Sequence, residues 1–258
     1  MKNYKLTLKY DGTNYSGWQI QPNVRTVQGE LTKTLEIITR KSVEVIGVSR
    51  TDAGVHALGY VASCFLDTEL DLYRLSHSIN GILDKDIRLT NISICDDDFN
   101  ARFNSLAKTY VYTIDNTVYG EPFLINTSWH WAKELDFDKM KIAGEEFVGT
   151  YDFSSFMSAG GSAKDFVRTV YGLHLEKNDD IIKMYITGNG FLYNMVRIIA
   201  GTLVCVGTGK IAPDEIKEII EKKDRKYAGI TAPPQGLALL KVYYSREELN
   251  CFIKSHHF

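Results

Sequence analysis

Residues 49 to 57 read Ser-Arg-Thr-Asp-Ala-Gly-Val-His-Ala and bring a guanidinium (Arg50), a carboxylate (Asp52) and an imidazole (His56) into one short stretch. An Asp two residues before a Gly is a common turn-former whose side chain bonds local backbone N–H groups. The same three groups on a loop between two strands also suit acid, base or nucleophile chemistry, because reactive side chains concentrate on loops held by a rigid scaffold. Residue types and spacing leave both readings open.

Arg197 stands in Phe191-Leu-Tyr-Asn-Met-Val-Arg-Ile-Ile-Ala-Gly, a helix-forming run that is apolar on every side. Burying a guanidinium there is costly without a carboxylate partner, so it either lies on an exposed stripe or has a dedicated acid from elsewhere in the chain. Asp52, in the other half, is the candidate, and the pairing would lower its pKa. Two tyrosines carry alternatives of their own. Tyr15 sits in Tyr10-Asp-Gly-Thr-Asn-Tyr-Ser-Gly-Trp-Gln, where aromatics suit base stacking or a packed turn; Tyr110 shares a strand face with Tyr112, which makes a core or sheet-surface role its default.

Other motifs are set aside. Gly207-Thr-Gly-Lys210 lacks the first glycine and the Ser/Thr of a P-loop, and Gly188-Asn-Gly190 lacks the third glycine of a dinucleotide fingerprint. Asp96-Asp97-Asp98 reads as a solvated loop. Cys64, Cys95, Cys205 and Cys251 are far apart with no CxxC pair, which predicts reduced thiols; neither they nor the six histidines show zinc-ligand spacing, and His256-His257 is expected to be solvated.

The elements that must position these groups repeat in order. Residues 3–10 alternate as a strand, Val27, Leu31, Leu35 and Ile38 recur at helical spacing, Val43 to Val48 and Gly59 to Phe65 are strand-like, Leu72, Leu75, Ile79 and Leu83 mark a helix, and Arg88 to Ile94 a strand. The second half repeats this with a strand at Lys108 to Ile114, a helix at Phe137 to Phe147, a hairpin of Val167 to Leu175 and Ile181 to Thr187, helices at Phe191 to Val206 and Pro213 to Lys222, and a strand at Ala238 to Tyr244. The predicted fold is α+β: two tandem ferredoxin-like (βαββαβ) halves, residues 1–104 and 105–258, with mainly antiparallel sheets and helices on one face, whose bare sheet faces either pack on each other or on a second subunit or line a central active-site cleft.

Composition narrows the classes. With 258 residues, 44% hydrophobic, and a formal charge of −2, a disordered tail, a collagen-like repeat and a disulfide miniprotein are excluded. The alternating N-terminus predicts no export signal, and the apolar run 191–206 falls short of the roughly 20 residues needed to span a bilayer. Each half carries a formal charge of −1, so a phosphate-binding surface would have to arise by local segregation of charge.

The Tyr10–Gln19 and Ser49–Ala57 runs, Ala101-Arg-Phe, Tyr110-Val-Tyr, the Phe191–Thr202 run and Thr231-Ala-Pro-Pro-Gln-Gly-Leu follow one another along nearly the whole chain. Together they resemble the TruA family of tRNA pseudouridine synthases. The resemblance implies a cytoplasmic homodimer that isomerises uridine to pseudouridine at positions 38, 39 and 40 of the tRNA anticodon stem-loop, without cofactor or metal. It makes Asp52 the catalytic carboxylate and Arg197 its partner, stacks Tyr110 on the target base and puts Arg50 where the base departs. Ser49 stands where the family commonly has glycine, and Ala238 where it often has an aromatic. Two other classes compete: a non-catalytic RNA-binding module of ferredoxin-like fold, whose aromatic signature is missing, and a glycosidase, which normally uses two carboxylates.

Overall fold

The computed structural model describes residues 1–161 and 163–255, so His256-His257 lies outside the described residues. The chain forms two compact units, one of Met1–Ser105 with Ala238–Tyr244 and one of Leu106–Leu237 with Ser245–Phe258. Ala238–Tyr244, grouped by sequence with the second half, therefore packs with the first.

In the first unit, β1 (Lys2–Tyr10) lies between β3 (His56–Leu66) and β4 (Ile87–Ile94), antiparallel to both, and β2 (Ile46–Gly47) pairs antiparallel with β3. Helices α1 (Val27–Thr39) and α2 (Leu72–Ile82) begin at the caps Thr26 and Asp71, whose side chains accept from the amides of Gly29 and Arg74. They bury Val27, Leu31 and Leu35, and Leu75 and Ile79. Each fully buried leucine contributes about 1.5–3 kcal/mol of hydrophobic stabilisation. The register places Tyr10 opposite Ala57 on β3 and opposite Ile87 on β4. The C-terminal end of β1 therefore meets the N-terminal ends of β3 and β4, and the loops leaving or entering those ends share one rim.

The second unit contains β5 (Ala107–Asp115), β6 (Trp129–His130), α3 (Phe137–Glu145), β7 (Gly149–Asp152), β8 (Val167–Asn178), β9 (Ile181–Gly188), α4 (Met195–Gly207), α5 (Glu215–Lys222) and, after β10 (Leu237–Tyr243), α6 (Arg246–Ser255). Its strands run β7-β8-β9-β5, antiparallel throughout, with β6 parallel to β5. Helix α4 is buried on nearly every side, as its composition requires.

Two elements differ instructively from the sequence reading. The strand expected over Val43–Val48 is reduced to Ile46–Gly47, with the Val48 amide also donating to the Val61 carbonyl (3.0 Å); before it, the Val45 carbonyl accepts from the Gln28 side chain and the Val43 amide donates to Glu36. Helix α4 starts at Met195, not Phe191, because Asn194 adopts the left-handed conformation (φ 61°) and a turn closes from the Met195 amide to the Leu192 carbonyl. Strands β6 and β7 and helix α6 were not anticipated; β6 and β7 are too short for periodicity to register. Among the described residues no helix is long and apolar enough to cross a membrane.

Candidate active site

Asp52 is half-buried at the tip of the loop that enters β3. Its carbonyl accepts the Val55 amide (3.1 Å), a tight turn in which Gly54 takes φ +78°. The segment leaving β1 lies along this turn. The Trp18 amide donates to the Thr51 carbonyl (3.1 Å), and the Gly54 amide reaches the Tyr15 carbonyl (3.4 Å). Gly17, at φ +88°, is required here: a Cβ would stand 2.4 Å from the Thr51 carbonyl oxygen and 3.2 Å from the Asp52 carbonyl carbon. Gly12 packs against Val55 in the same way, where a Cβ would stand 2.1 Å from the carbonyl oxygen.

Aromatic side chains brace the loop from the unit's interior. Tyr10 and Thr51 share a hydroxyl hydrogen bond (2.8 Å), Tyr60 donates its hydroxyl to the Ser49 carbonyl, and Trp18 stacks on Tyr60 with ring centroids 4.0 Å apart. His56 is buried, and the Gly12 amide lies 3.0 Å from its Nδ1. The Asp11 carboxylate lies 3.2 Å from that Nδ1. Burial alone would raise the pKa of Asp11, but hydrogen bonds from the Thr13 hydroxyl and amide, with His56 nearby, hold it below the usual carboxylate value.

In the second unit Tyr110, on β5, is 7% exposed and meets Phe191 edge-on with centroids 5.3 Å apart. Arg197 is half-buried in the first turn of α4. Its Nε donates to the Ala232 carbonyl (2.7 Å) and its guanidinium also donates to the Asn194 side-chain oxygen (2.7 Å). Asn194 in turn donates to the Ser158 hydroxyl (3.0 Å), so the residue that breaks the helix start also orients the arginine. Beside it, burial pushes the Tyr112 phenol well above its ordinary pKa, with Arg197 acting in the opposite direction.

The sequence pattern described as "tRNA pseudouridine synthase" matches residues 7–104 and 143–245. The tRNA pseudouridine synthase A of Acetivibrio thermocellus is 48% identical over 244 residues, which are 95% of this chain and all of that one. Those of Thermoanaerobacter pseudethanolicus and Caldicellulosiruptor saccharolyticus are 46% and 44% identical with the same coverage of both chains. The chain belongs to the tRNA pseudouridine synthase family. Its members are isomerases.

Each synthase residue singled out by sequence now has a place. Asp52, exposed Arg50 and buried His56 lie in the first unit; Tyr110 and Arg197 lie in the second. Tyr15, open between base stacking and a packed turn, is 3% exposed with its hydroxyl on Asp86, so it serves the turn. Sequence reasoning missed Asp86 and Arg25, which hold Tyr15, and Asn194 and Ala232, which hold Arg197. Only Asn194 left a signal, as a polar break at the start of an apolar run. Among the described residues, no group of three or more His, Cys, Asp or Glu could hold a metal ion.

Proposed function

We propose that this chain converts uridine to pseudouridine at positions 38, 39 and 40 in the anticodon stem-loop of tRNA, with Asp52 as the catalytic carboxylate. Family membership carries the proposal, and the braced Asp52 turn supports the assignment of the acid. The isomerisation breaks the N1–C1′ bond, turns the base and joins C5 to C1′; C5 loses a proton and N1 gains one, so there is no net oxidation or reduction. Asp52 has two routes open to it, attack on C1′ and removal of a ribose proton, and both require the anion. In this reading Arg197 keeps that anion ionised, Tyr110 stacks on the everted base and Arg50 fills the space it vacates.

The βαββαβ reading is supported in the first unit by the antiparallel order β4-β1-β3-β2 and in the second by β5-β9-β8. The proposal extends to a homodimer acting in the cytoplasm, the first part of which light scattering of the purified protein tests.

Tritium release from tRNA carrying [5-³H]uridine is the deciding measurement. Asp52→Asn should abolish release while leaving tRNA binding within a few-fold of the parent. Substantial residual turnover refutes the assignment, and release from tRNAs whose only labelled uridines lie outside the anticodon stem-loop refutes the positions.

A further inference from the structure

The segment that frames Asp52 is itself pinned from outside by an array of which only Tyr15 lies in a motif. Tyr15 is buried, and its hydroxyl donates to Oδ1 of Asp86, in the turn that enters β4. Arg25 donates to the other oxygen, Oδ2, at 3.2 Å, and reaches Asp84 with its second terminal nitrogen. The Arg25 guanidinium also lies over the Tyr15 ring, 4.3 Å from its centroid. Three main-chain bonds reinforce the array: Asp11 amide to Asp86 carbonyl (2.9 Å), Ser16 amide to Arg25 carbonyl (2.9 Å) and Tyr15 amide to Gly12 carbonyl (3.0 Å). Burial, and then the Asp86 carboxylate, keep the Tyr15 phenol protonated and hence a donor.

The segment meets the Asp52 turn through Tyr15 and its neighbours: the Tyr15 carbonyl takes the Gly54 amide, Gly12 and Gly17 lie against Val55 and Thr51, and Trp18 donates to Thr51. Those glycine contacts leave no room for a side chain, so a shift in the 11–18 segment must be transmitted to the Asp52 turn rather than absorbed. Reactive groups need their geometry held to within a fraction of an ångström, and misplacement alone can cost a hundredfold in rate.

We infer that Tyr15, Asp86 and Arg25 form a positioning unit that sets the Asp52 turn for catalysis. The inference rests on Asp52 being the catalytic acid. None of the three residues touches the reacting atoms in this account; they act through the 11–18 segment.

Single-turnover tritium release and tRNA binding, measured on Tyr15→Phe, Asp86→Asn and the double variant, test it. Tyr15→Phe keeps the ring beneath Arg25 and removes the donor; Asp86→Asn keeps an acceptor and removes the charge. Each single variant is expected to slow release about tenfold with tRNA affinity within twofold, and the double variant to be no slower than the slower single, since members of one unit are not additive. Single variants turning over at the parent rate overturn the inference, as does a double variant whose loss is the product of the two. Arg25→Lys, which keeps the charge and loses the fork, provides a milder probe should Tyr15→Phe fail to fold; an unchanged rate there is equally fatal. Asp52→Asn, run alongside, separates the two failures: activity in that variant defeats the catalytic assignment, whereas an inactive Asp52→Asn beside fully active Tyr15 and Asp86 variants defeats only the positioning unit.

Discussion

Arg197 and Ala232 hold each other twice: the arginine Nε donates to the Ala232 carbonyl at 2.7 Å, and the Ala232 amide donates to the Arg197 carbonyl at 3.1 Å. The side chain is thereby tied to the Thr231-Ala-Pro-Pro segment, and the second bond to Asn194 fixes the plane of the guanidinium. A lysine offers a point charge without that fork. Arg197→Lys is therefore expected to retain some activity but lose tenfold or more in single-turnover rate. Arg197→Met should lose activity altogether and unfold at lower temperature, because the Ala232 carbonyl and Asn194 side chain lose their donors. Parent-like turnover by the methionine variant would remove Arg197 from the mechanism.

Gly17→Ala tests the close approach beneath the Asp52 turn. The added methyl meets the Thr51 carbonyl at 2.4 Å, and φ +88° is unfavourable for any L residue, so strain and collision act together. A destabilisation of about 1–3 kcal/mol in urea unfolding is expected, with loss of isomerisation beyond what the unfolded fraction explains. An alanine variant of parent stability and rate would mean that the turn tolerates displacement.

Variants at Tyr110 separate stacking by its ring from any need for its hydroxyl. Its ring lies edge-on to Phe191, and phenylalanine keeps that contact. Tyr110→Phe should bind tRNA like the parent and turn over within about tenfold of it, whereas Tyr110→Ala should lose about 1–3 kcal/mol of base holding. Equal behaviour of the two variants would exclude a stacking role.

Asp115 gives the pH dependence. Its buried carboxylate accepts from the Thr117 hydroxyl (2.6 Å) and amide (3.0 Å) and from the Glu121 amide (2.5 Å). Burial works to raise its pKa, but these bonds, the Thr117 hydroxyl first, outweigh it and hold the group below its ordinary value. The folded pKa lies under the unfolded one, so the stabilisation is complete above the unfolded value near about 3.9 and is lost as pH falls through the folded one. Asp115→Asn should cost about 1.5–3 kcal/mol at pH 7, and the gap to the parent should narrow in unfolding curves below about pH 4. A gap constant across that range would show that the charge contributes nothing.

The Asp52 loop was legible in the sequence because its groups are adjacent in the chain, and the helices because apolar spacing is a local property: Leu31 and Leu35, or Leu75 and Ile79, declare a buried face without reference to anything distant. Val43–Val48 shows the limit. Its residues have strand composition and Val43, Val45 and Val48 are buried, yet only Ile46–Gly47 forms a strand, and the Val43 amide and Val45 carbonyl bond side chains of α1. Composition encodes which way a side chain faces, not which partner completes its backbone.

Residue order alone determined the alternation of strands and helices, the Arg50, Asp52 and His56 grouping before β3 and an arginine at odds with its apolar helix. Folding decided who holds them. Tyr15 and Asp86 are separated by 71 positions and Arg25 and Asp86 by 61, and they meet only because antiparallel pairing brings the end of β1 beside the starts of β3 and β4. Periodicity reports a residue's own environment within a turn or two of chain; hydrogen-bond partners across strands are chosen by register, which is a property of the assembled sheet.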